Sequence, residues 1–195
     1  MKKIILAGYG YLGKFIEQQA GFNEKKFLYK LSRNPDKHRN GFGKHVEVDF
    51  DKEEFDITEI LDESTIIYMA PPNKDKDKAP RLENFLNNTK RSNVEKIIYI
   101  STSGVYGDCG GSYVTEDTKL KPLTSRAKKR VIAEKMIMKY STVNNTKYII
   151  LRVPGIYGLG RLPLSKVRER EPLVNKDECK ITNLINVEDL ARVVW

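Results

Sequence analysis

Three closely spaced glycines near the N-terminus are the residues of this sequence that most clearly predict a binding chemistry. Gly8, Gly10 and Gly13 directly follow the apolar run Lys3-Ile4-Ile5-Leu6-Ala7 and precede an amphipathic stretch. That order is typical of a buried strand, a tight turn and the start of a helix, and it brings backbone N–H groups close to a pyrophosphate. An ordinary strand-to-helix turn is the alternative. The residues predicted to hold the dinucleotide here are Gly8, Gly10, Tyr11, Leu12 and Gly13.

The end of the second apolar run indicates which dinucleotide the turn would hold. A site selective for NAD normally places a carboxylate there, to bind the ribose hydroxyls. The sequence instead offers Ser32 and Arg33, with no Asp or Glu in the segment Lys30-Leu31-Ser32-Arg33-Asn34-Pro35. A hydroxyl and a guanidinium suit a ribose 2′-phosphate, because that dianion favours a fixed fork of charged donors. The prediction is NADP, with NAD less favoured; an exposed turn arginine is the alternative.

The elements that must position these residues follow from the alternation of apolar and polar stretches. Six β-rich runs, counting the first, alternate with helix-like segments, which predicts right-handed crossovers and an α/β fold with a doubly wound parallel sheet. Ligands of such sheets lie at the carboxyl ends of the strands. After the first run, the predicted strands are Lys26 to Leu31, Lys44 to Val48, Thr65 to Ala70, Lys96 to Ser101 and Lys147 to Val153.

Composition excludes several other classes of protein. The chain has 195 residues, 39% of them hydrophobic, and no apolar run approaches the length of a membrane span, so no membrane partner is expected. The net charge of +9 is spread along the chain without a nucleic-acid motif, so no nucleic-acid partner is expected either. Cys109 and Cys179 lack the spacing of a metal site or a disulfide framework. Reduced thiols, no metal and a cytoplasmic location are the expectation.

A longer motif surrounds the fifth predicted strand, where residues 97–108 read Ile-Ile-Tyr-Ile-Ser-Thr-Ser-Gly-Val-Tyr-Gly-Asp. It is followed by Thr115-Glu116-Asp117, by Leu151-Arg152-Val153-Pro154-Gly155-Ile156-Tyr157-Gly158 and by Ile185-Asn186-Val187-Glu188-Asp189-Leu190-Ala191. In this order the motifs resemble the extended short-chain dehydrogenase/reductase family, which includes NAD(P)-dependent nucleotide-sugar epimerases and dehydratases. The resemblance covers essentially the whole chain.

The resemblance implies a role for several residues. Thr102 falls where the family's catalytic Ser or Thr hydrogen-bonds the substrate oxygen. Asp49 matches the acid that contacts adenine, and Pro154 lies in the loop beside the nicotinamide. The segment that passes under the cofactor is matched by Ala70, Pro71 and Pro72. Asp189 is expected to cap the last helix.

The sequence departs from the family at its Tyr-x-x-x-Lys pair. With Glu134 taken as the glutamate that follows the pair, Arg126 and Arg130 occupy the two positions, still on one helix face. Arginine stays protonated and cannot replace the tyrosine as a proton donor. Arg126 and Arg130 could alternatively bind an anionic substrate or the cofactor phosphates. Other registers pair Ser125 with Lys129 or Thr124 with Lys128, and Tyr106 and Tyr113 are further candidates for the missing acid.

The resemblance also bears on the domain organisation and the reaction. Ser103-Gly104 stands where a dehydratase carries Asp-Glu, so sugar dehydration is not expected. We predict a dinucleotide-binding domain over residues 1–160 and a partial or minimal C-terminal substrate region over residues 161–195; a homodimer is common in the family. The hypothesis is an NADP-dependent oxidoreductase or nucleotide-sugar epimerase-like protein acting on a nucleotide-sugar or another anionic carbonyl or hydroxyl compound. The alternative is a catalytically silent NADP(H) sensor or interaction module.

Overall fold

The computed structural model describes residues 2–34, 41–73, 78–90, 92–162 and 182–195, together with residues 164, 168, 169 and 175. Eight strands are defined in these ranges. They are β1 Lys3–Ala7, β2 Leu28–Ser32, β3 Lys44–Glu47, β4 Ser64–Tyr68, β5 Lys96–Thr102, β6 Lys147–Val153, β7 Gly155–Tyr157 and β8 Leu184–Asn186. The α-helices are α1 Tyr11–Gln19, α2 Thr58–Leu61, α3 Pro80–Thr89, α4 Ser125–Asn144 and α5 Val187–Val194.

Six strands form one parallel sheet in the order β3-β2-β1-β4-β5-β6. Strand β1 lies at its centre, where Ile5 pairs with Tyr29 on one side and Ile66 on the other. The strand order reverses between β1 and β4, which is where doubly wound sheets open a ligand crevice. The predicted fold class is therefore confirmed. Strand β2 begins at Leu28 rather than Lys26, because Glu24–Phe27 form a turn of 3-10 helix.

Both faces of the sheet are covered, so successive residues of β1 enter different cores. Ile5 packs in a cluster with Phe85 of α3 and Ile137 of α4. Leu6 packs on the opposite face, in a cluster that includes Ile16 of α1 and Leu190 of α5. This burial on both sides explains why the strands read as continuous apolar runs.

The described C-terminal residues pack onto the second core. Strands β7 and β8 pair in a small parallel sheet, and α5 buries Val187 and Leu190 in the same cluster as α1. The cap of α5 corrects the expectation for Asp189: the side chain of Asn186 accepts the Glu188 N–H at 2.8 Å, while Asp189 pairs with Arg192. The boundary at residue 160 stays a prediction.

Two smaller expectations concern thiols and membranes. Cys109 is a free thiol, and Cys179 lies outside the described residues. In the part of the chain that the structure describes, no helix is long and apolar enough to cross a bilayer, and no cluster of His, Cys, Asp and Glu is arranged to hold a metal ion.

Candidate functional site

The glycine turn is locked onto the neighbouring strands. The N–H groups of Gly8 and Tyr9 both donate to the Leu31 carbonyl at the end of β2, at 3.1 and 2.9 Å. Gly8 has φ +82°, and a Cβ there would lie 2.6 Å from the Ala70 nitrogen. Only glycine fits this close approach without strain. Ala70, the second residue after β4, therefore lies directly against the turn.

The two later glycines differ in what surrounds them. A Cβ on Gly13 would lie 2.7 Å from the Tyr9 ring, so this glycine is needed for packing inside the turn. A Cβ on Gly10 would meet nothing closer than the Gly8 oxygen at 3.9 Å, so the space above Gly10 is open. Gly10 immediately precedes α1, whose first N–H groups have no intrahelical acceptor. The open space and these donors fit a pyrophosphate.

A buried ion pair lies beneath the turn and was not predicted from the sequence. Lys30 of β2 and Glu17 of α1 approach to 3.2 Å with both side chains almost fully buried. Glu17 also accepts hydrogen bonds from the Tyr9 hydroxyl and the Phe42 N–H. Since buried charges are retained only when paired and hydrogen-bonded, this pair fixes α1 against β2 below the turn.

A cleft of about 600 Å³ opens above the glycine turn, at the carboxyl ends of β1, β4, β5 and β6. It brings together most of the predicted site residues. Among the described residues that line it, three are arginines and none is acidic. The predicted site residues in its lining are Gly8, Gly10, Tyr11, Leu12, Gly13, Pro71, Thr102, Arg126, Arg130 and Pro154.

Thr102 ends β5 and caps the 3-10 helix Ser103–Tyr106. Its Oγ1 accepts the Gly104 N–H at 3.3 Å, which fixes the hydroxyl at the cleft wall. The hydroxyl retains a proton to donate, because an oxygen of this kind both donates and accepts. The geometry is compatible with the substrate contact that the resemblance implies for Thr102.

Arg126 and Arg130 lie one turn apart on α4 and face the cleft, with Arg126 exposed. Arg130 is only 6% exposed, and its Nη1 donates to the Tyr99 hydroxyl and the Ile100 carbonyl, both at 2.9 Å. Burial raises the pKa of Tyr99, against the opposing effect of Arg130. Tyr99 does not replace the missing proton donor, because it is almost fully buried and lies outside the cleft lining.

The other registers and tyrosines do not supply the missing pair. Lys129 is buried, and its Nζ donates to the Asn73 carbonyl at 2.9 Å. The Tyr106 hydroxyl accepts from Arg152 at 3.0 Å, and Tyr113 is fully exposed. These three residues, and the exposed Lys128, lie outside the cleft lining.

The predicted 2′-phosphate residues lie outside the cleft lining, at the carboxyl end of β2. The Ser32 hydroxyl is 2.9 Å from His45 Nε2, and Arg33 pairs with Asp51 at 3.6 Å. Asp51 is bound more closely by Arg81, at 2.5 Å, and also accepts from Asn73. Hydrogen bonds from Arg81 hold the pKa of Asp51 below its usual value, although burial opposes them. Two guanidinium groups thus share one carboxylate.

The remaining predicted cofactor residues, Asp49, Ala70 and Pro72, also lie outside the cleft lining. Asp49 Oδ1 accepts the Asp51 N–H at 3.1 Å, which shapes the turn after β3. Pro72 lies in the segment between β4 and α3, whose path is fixed by Arg81 Nη1 donating to the Pro71 carbonyl at 2.8 Å. Contacts of Asp49, Ala70 and Pro72 with a cofactor stay predictions.

Arg161 is a cleft residue that sequence reasoning did not assign. Its guanidinium lies 4.0 Å from the centre of the Tyr11 ring, and the Tyr11 hydroxyl donates to the Leu159 carbonyl at 2.9 Å. Gly158 permits this approach, because a Cβ there would lie 3.3 Å from the Tyr11 hydroxyl. The loop after β7 therefore rests on the first residue of α1. A Tyr immediately after the second glycine was the available signal, but it did not identify a partner so distant in sequence.

The fold and the cleft define a Rossmann-type α/β protein. The NAD dependent epimerase/dehydratase family matches residues 4–195, and the chain belongs to that family. This confirms the family that the sequence motifs resemble.

Individual relatives are more distant. The Arabidopsis thaliana protein named "Putative UDP-arabinose 4-epimerase 4" is 34% identical over 86 residues, covering 41% of this chain and 20% of that protein. The match thus spans a fifth of the length of this curated relative.

Solved structures show the same fold over nearly the whole chain. A UDP-glucuronic acid 4-epimerase from Bacillus cereus in complex with NAD has a TM-score of 0.81 and 20% identity, covering 100% of this chain and 72% of that one. A UDP-N-acetylglucosamine 4-epimerase from Methanobrevibacter ruminantium M1 in complex with UDP-N-acetylmuramic acid has a TM-score of 0.77 and 17% identity, covering 98% and 71%. At these identities the likeness is one of fold.

Proposed function

We propose that this chain binds NADP(H) in the cleft and acts as an epimerase-like oxidoreductase on a nucleotide-sugar or a related anionic compound. The observation that carries the proposal is the open space above Gly10, where a Cβ would meet nothing closer than 3.9 Å, facing the N-terminus of α1. Gly8, Tyr11, Leu12 and Gly13 would hold the pyrophosphate, and Pro71 and Pro154 would line the path to the nicotinamide.

The preference for NADP rests on the end of β2. The Bacillus cereus structure contains NAD, whereas here Ser32 and Arg33 stand where an NAD site has a carboxylate. Asp51 neutralises part of the Arg33 charge. Because Arg81 shares that carboxylate, the group of Arg33, Arg81 and Asp51 keeps a net positive charge that favours a 2′-phosphate.

The substrate class rests on the family and on the charge of the cleft. The two similar proteins of known structure are named as epimerases of UDP-sugars. The arginines that line the cleft of this chain attract anions. When bound, the cofactor supplies or accepts a hydride. Thr102 would hydrogen-bond the reacting oxygen through its hydroxyl.

Among the described residues of the cleft, none is suited to donate the proton that accompanies the hydride. Three of the lining residues are arginines, a residue type that does not release its proton in proteins, and the Tyr11 hydroxyl is engaged with the Leu159 carbonyl. We therefore assign Thr102 the role of orienting the oxygen, with water as the proton source.

The proposal is tested by following NADPH fluorescence while carbonyl compounds and keto nucleotide-sugars are supplied. Fluorescence is expected to decay with at least one substrate. Thr102→Ala is expected to slow that decay about 100-fold without changing NADPH affinity, because its hydroxyl would contact the substrate and not the cofactor. Thr102→Ser is the matched control that keeps the hydroxyl and the activity. Full activity in Thr102→Ala would show that Thr102 has no role in the reaction.

A catalytically silent NADP(H)-binding module is the second candidate. The observation that favours it is the replacement of both members of the Tyr-x-x-x-Lys pair by Arg126 and Arg130 while the glycine turn is kept. This candidate predicts the same cofactor binding with no decay of NADPH fluorescence for any substrate.

A further inference from the structure

A buried positive charge in the cleft, that of Arg130, forms no ion pair with the described residues. Only 6% of the Arg130 surface is exposed. Its Nη1 is bound by the Tyr99 hydroxyl and the Ile100 carbonyl, but its Nε is buried without any hydrogen-bond partner. Buried guanidinium groups are normally paired, because removing the charge from water is costly. An anion from outside the chain would complete the pairing.

The acid closest in sequence cannot serve as that partner. Glu134 lies one turn further along α4, is 1% exposed, and binds Arg152 at 3.0 Å. It also accepts the Ser101 hydroxyl at 2.5 Å. Both of its oxygens are therefore engaged by Ser101 and Arg152, and it forms no ion pair with Arg130, which lines the cleft.

The surroundings of Arg130 add to the positive potential. Arg126 lies one turn earlier on the same helix face, at the cleft rim. The first turn of α4 is held by Thr124, whose hydroxyl accepts the Ala127 N–H at 3.1 Å, and this helix end carries the positive pole of the helix dipole. Thr102 lies near the first turn of α4, because a Cβ on Gly104 would lie 3.6 Å from Thr102 Oγ1 and 3.9 Å from Ala127 Cβ.

We infer that Arg130 and Arg126 bind an acidic group, a carboxylate or a phosphate, on the second ligand of the cleft. The inference deepens the proposed function and rests on it for the place of the cofactor: the substrate is an acid, held beside Thr102 by the residues that replace the family's Tyr and Lys. A buried guanidinium fixed by Tyr99 and Ile100 is already oriented, so it binds such a group with little loss of side-chain freedom.

The first experiment tests whether Arg130 binds an anion when no cofactor is present. The chain without cofactor is titrated by calorimetry with malonate and with inorganic phosphate, for the wild type and for Arg130→Met. We expect at least one anion to bind and its affinity to fall about tenfold or more in the variant. Stronger binding of malonate identifies a carboxylate, and stronger binding of phosphate identifies a phosphate group. Equal binding by both proteins, or none by the wild type, overturns the inference while leaving the proposed cofactor site untouched.

The second experiment uses a matched pair of ligands on the NADP-saturated chain. UDP-glucuronic acid and UDP-glucose differ in one carboxylate. Where the first experiment identifies a carboxylate, we expect the acid to bind about tenfold more tightly, and equal binding of the two ligands would then overturn the inference. That preference is expected to disappear in Arg130→Met and in the exposed variant Arg126→Met, which removes no buried contact. Lys135→Met, an exposed charge elsewhere on α4, is the control that keeps the preference.

The opposite result has a defined meaning. If Arg130→Met and Arg126→Met weaken NADPH binding and leave the preference for the acid unchanged, the two arginines hold the cofactor and the inference is wrong. Because Arg126 is exposed, its variant gives an answer even if Arg130→Met fails to fold.

Discussion

At the scale of single residues, Arg33 is the side chain on which the proposed preference for NADP depends. Its side chain is 62% exposed and paired with Asp51 at 3.6 Å, a distance that leaves the guanidinium free to bind a second anion. A 2′-phosphate offers more charge than the shared carboxylate. The proposed preference for NADP therefore rests on one exposed side chain, which a single substitution can test.

Arg33→Ala is expected to weaken NADPH binding about tenfold and to change NADH binding less than about twofold, because the 2′-phosphate is the sole difference between the two ligands. Calorimetric titration of both dinucleotides checks this result. Lys14→Ala, which removes an exposed charge from α1, is the control for nonspecific charge effects. Equal losses for the two ligands would rule out the 2′-phosphate assignment.

At the scale of elements, the carboxyl ends of β2, β3 and β4 are tied together through Asp51. Arg33 follows β2, Asp51 follows β3, and Asn73 follows β4. Arg81 at the start of α3 binds Asp51 and the Pro71 carbonyl, so it fixes the segment after β4 against the turn after β3.

Asp51→Asn is expected to lower the free energy of unfolding at pH 7 by about 1 kcal/mol, as a partly exposed charge-assisted pair is lost. The pKa of Asp51 is lower in the folded chain than its usual 3.8, so its contribution is complete above that pH and lost as the pH falls further. The variant should show a flatter dependence of stability on pH below 3.8. Urea unfolding across the acid range measures this, with Asp189→Asn as the exposed control. An unchanged pH dependence in Asp51→Asn would contradict the assignment.

Two glycines of the turn have different expected roles: Gly10 in binding and Gly8 in the fold. Gly10→Ala is expected to leave the unfolding free energy within about 1 kcal/mol and to weaken NADPH binding more than about tenfold, because its methyl enters the open space above the turn. Gly8→Ala is expected to destabilise the fold by about 2 to 4 kcal/mol, since φ is +82° and its methyl overlaps Ala70. Thermal unfolding and titration of both variants check the contrast. A Gly10→Ala protein that binds normally would place the pyrophosphate elsewhere.

The sequence predicted the parallel sheet well, because strands buried on both faces leave continuous apolar runs that local patterns reveal. It also predicted the glycine turn, because the strand, the glycines and the helix follow one another directly along the chain. It did not predict the stacking of Arg161 on Tyr11 or the sharing of Asp51 by Arg33 and Arg81. Those contacts join segments far apart in sequence, and exposed arginines carry no periodic signal that would identify their partners.

At the scale of the whole molecule, one sheet positions two positively charged regions. The net charge of +9 alone does not reveal that they are separate. The arginines of the cleft face the space beside Thr102, and Arg33 lies beyond the glycine turn at the end of β2. A dinucleotide that spans the crevice between β1 and β4 would connect the two regions. Binding of this ligand is thus the property on which the roles of Gly10, Arg33 and Thr102 all depend.

The most direct measurement is a calorimetric titration of the chain with NADPH and NADH under identical conditions. The expected result is binding of one dinucleotide per chain, with NADPH about tenfold tighter than NADH. Absence of binding by either dinucleotide would contradict the cofactor site, and equal or tighter binding of NADH would contradict the role of Arg33.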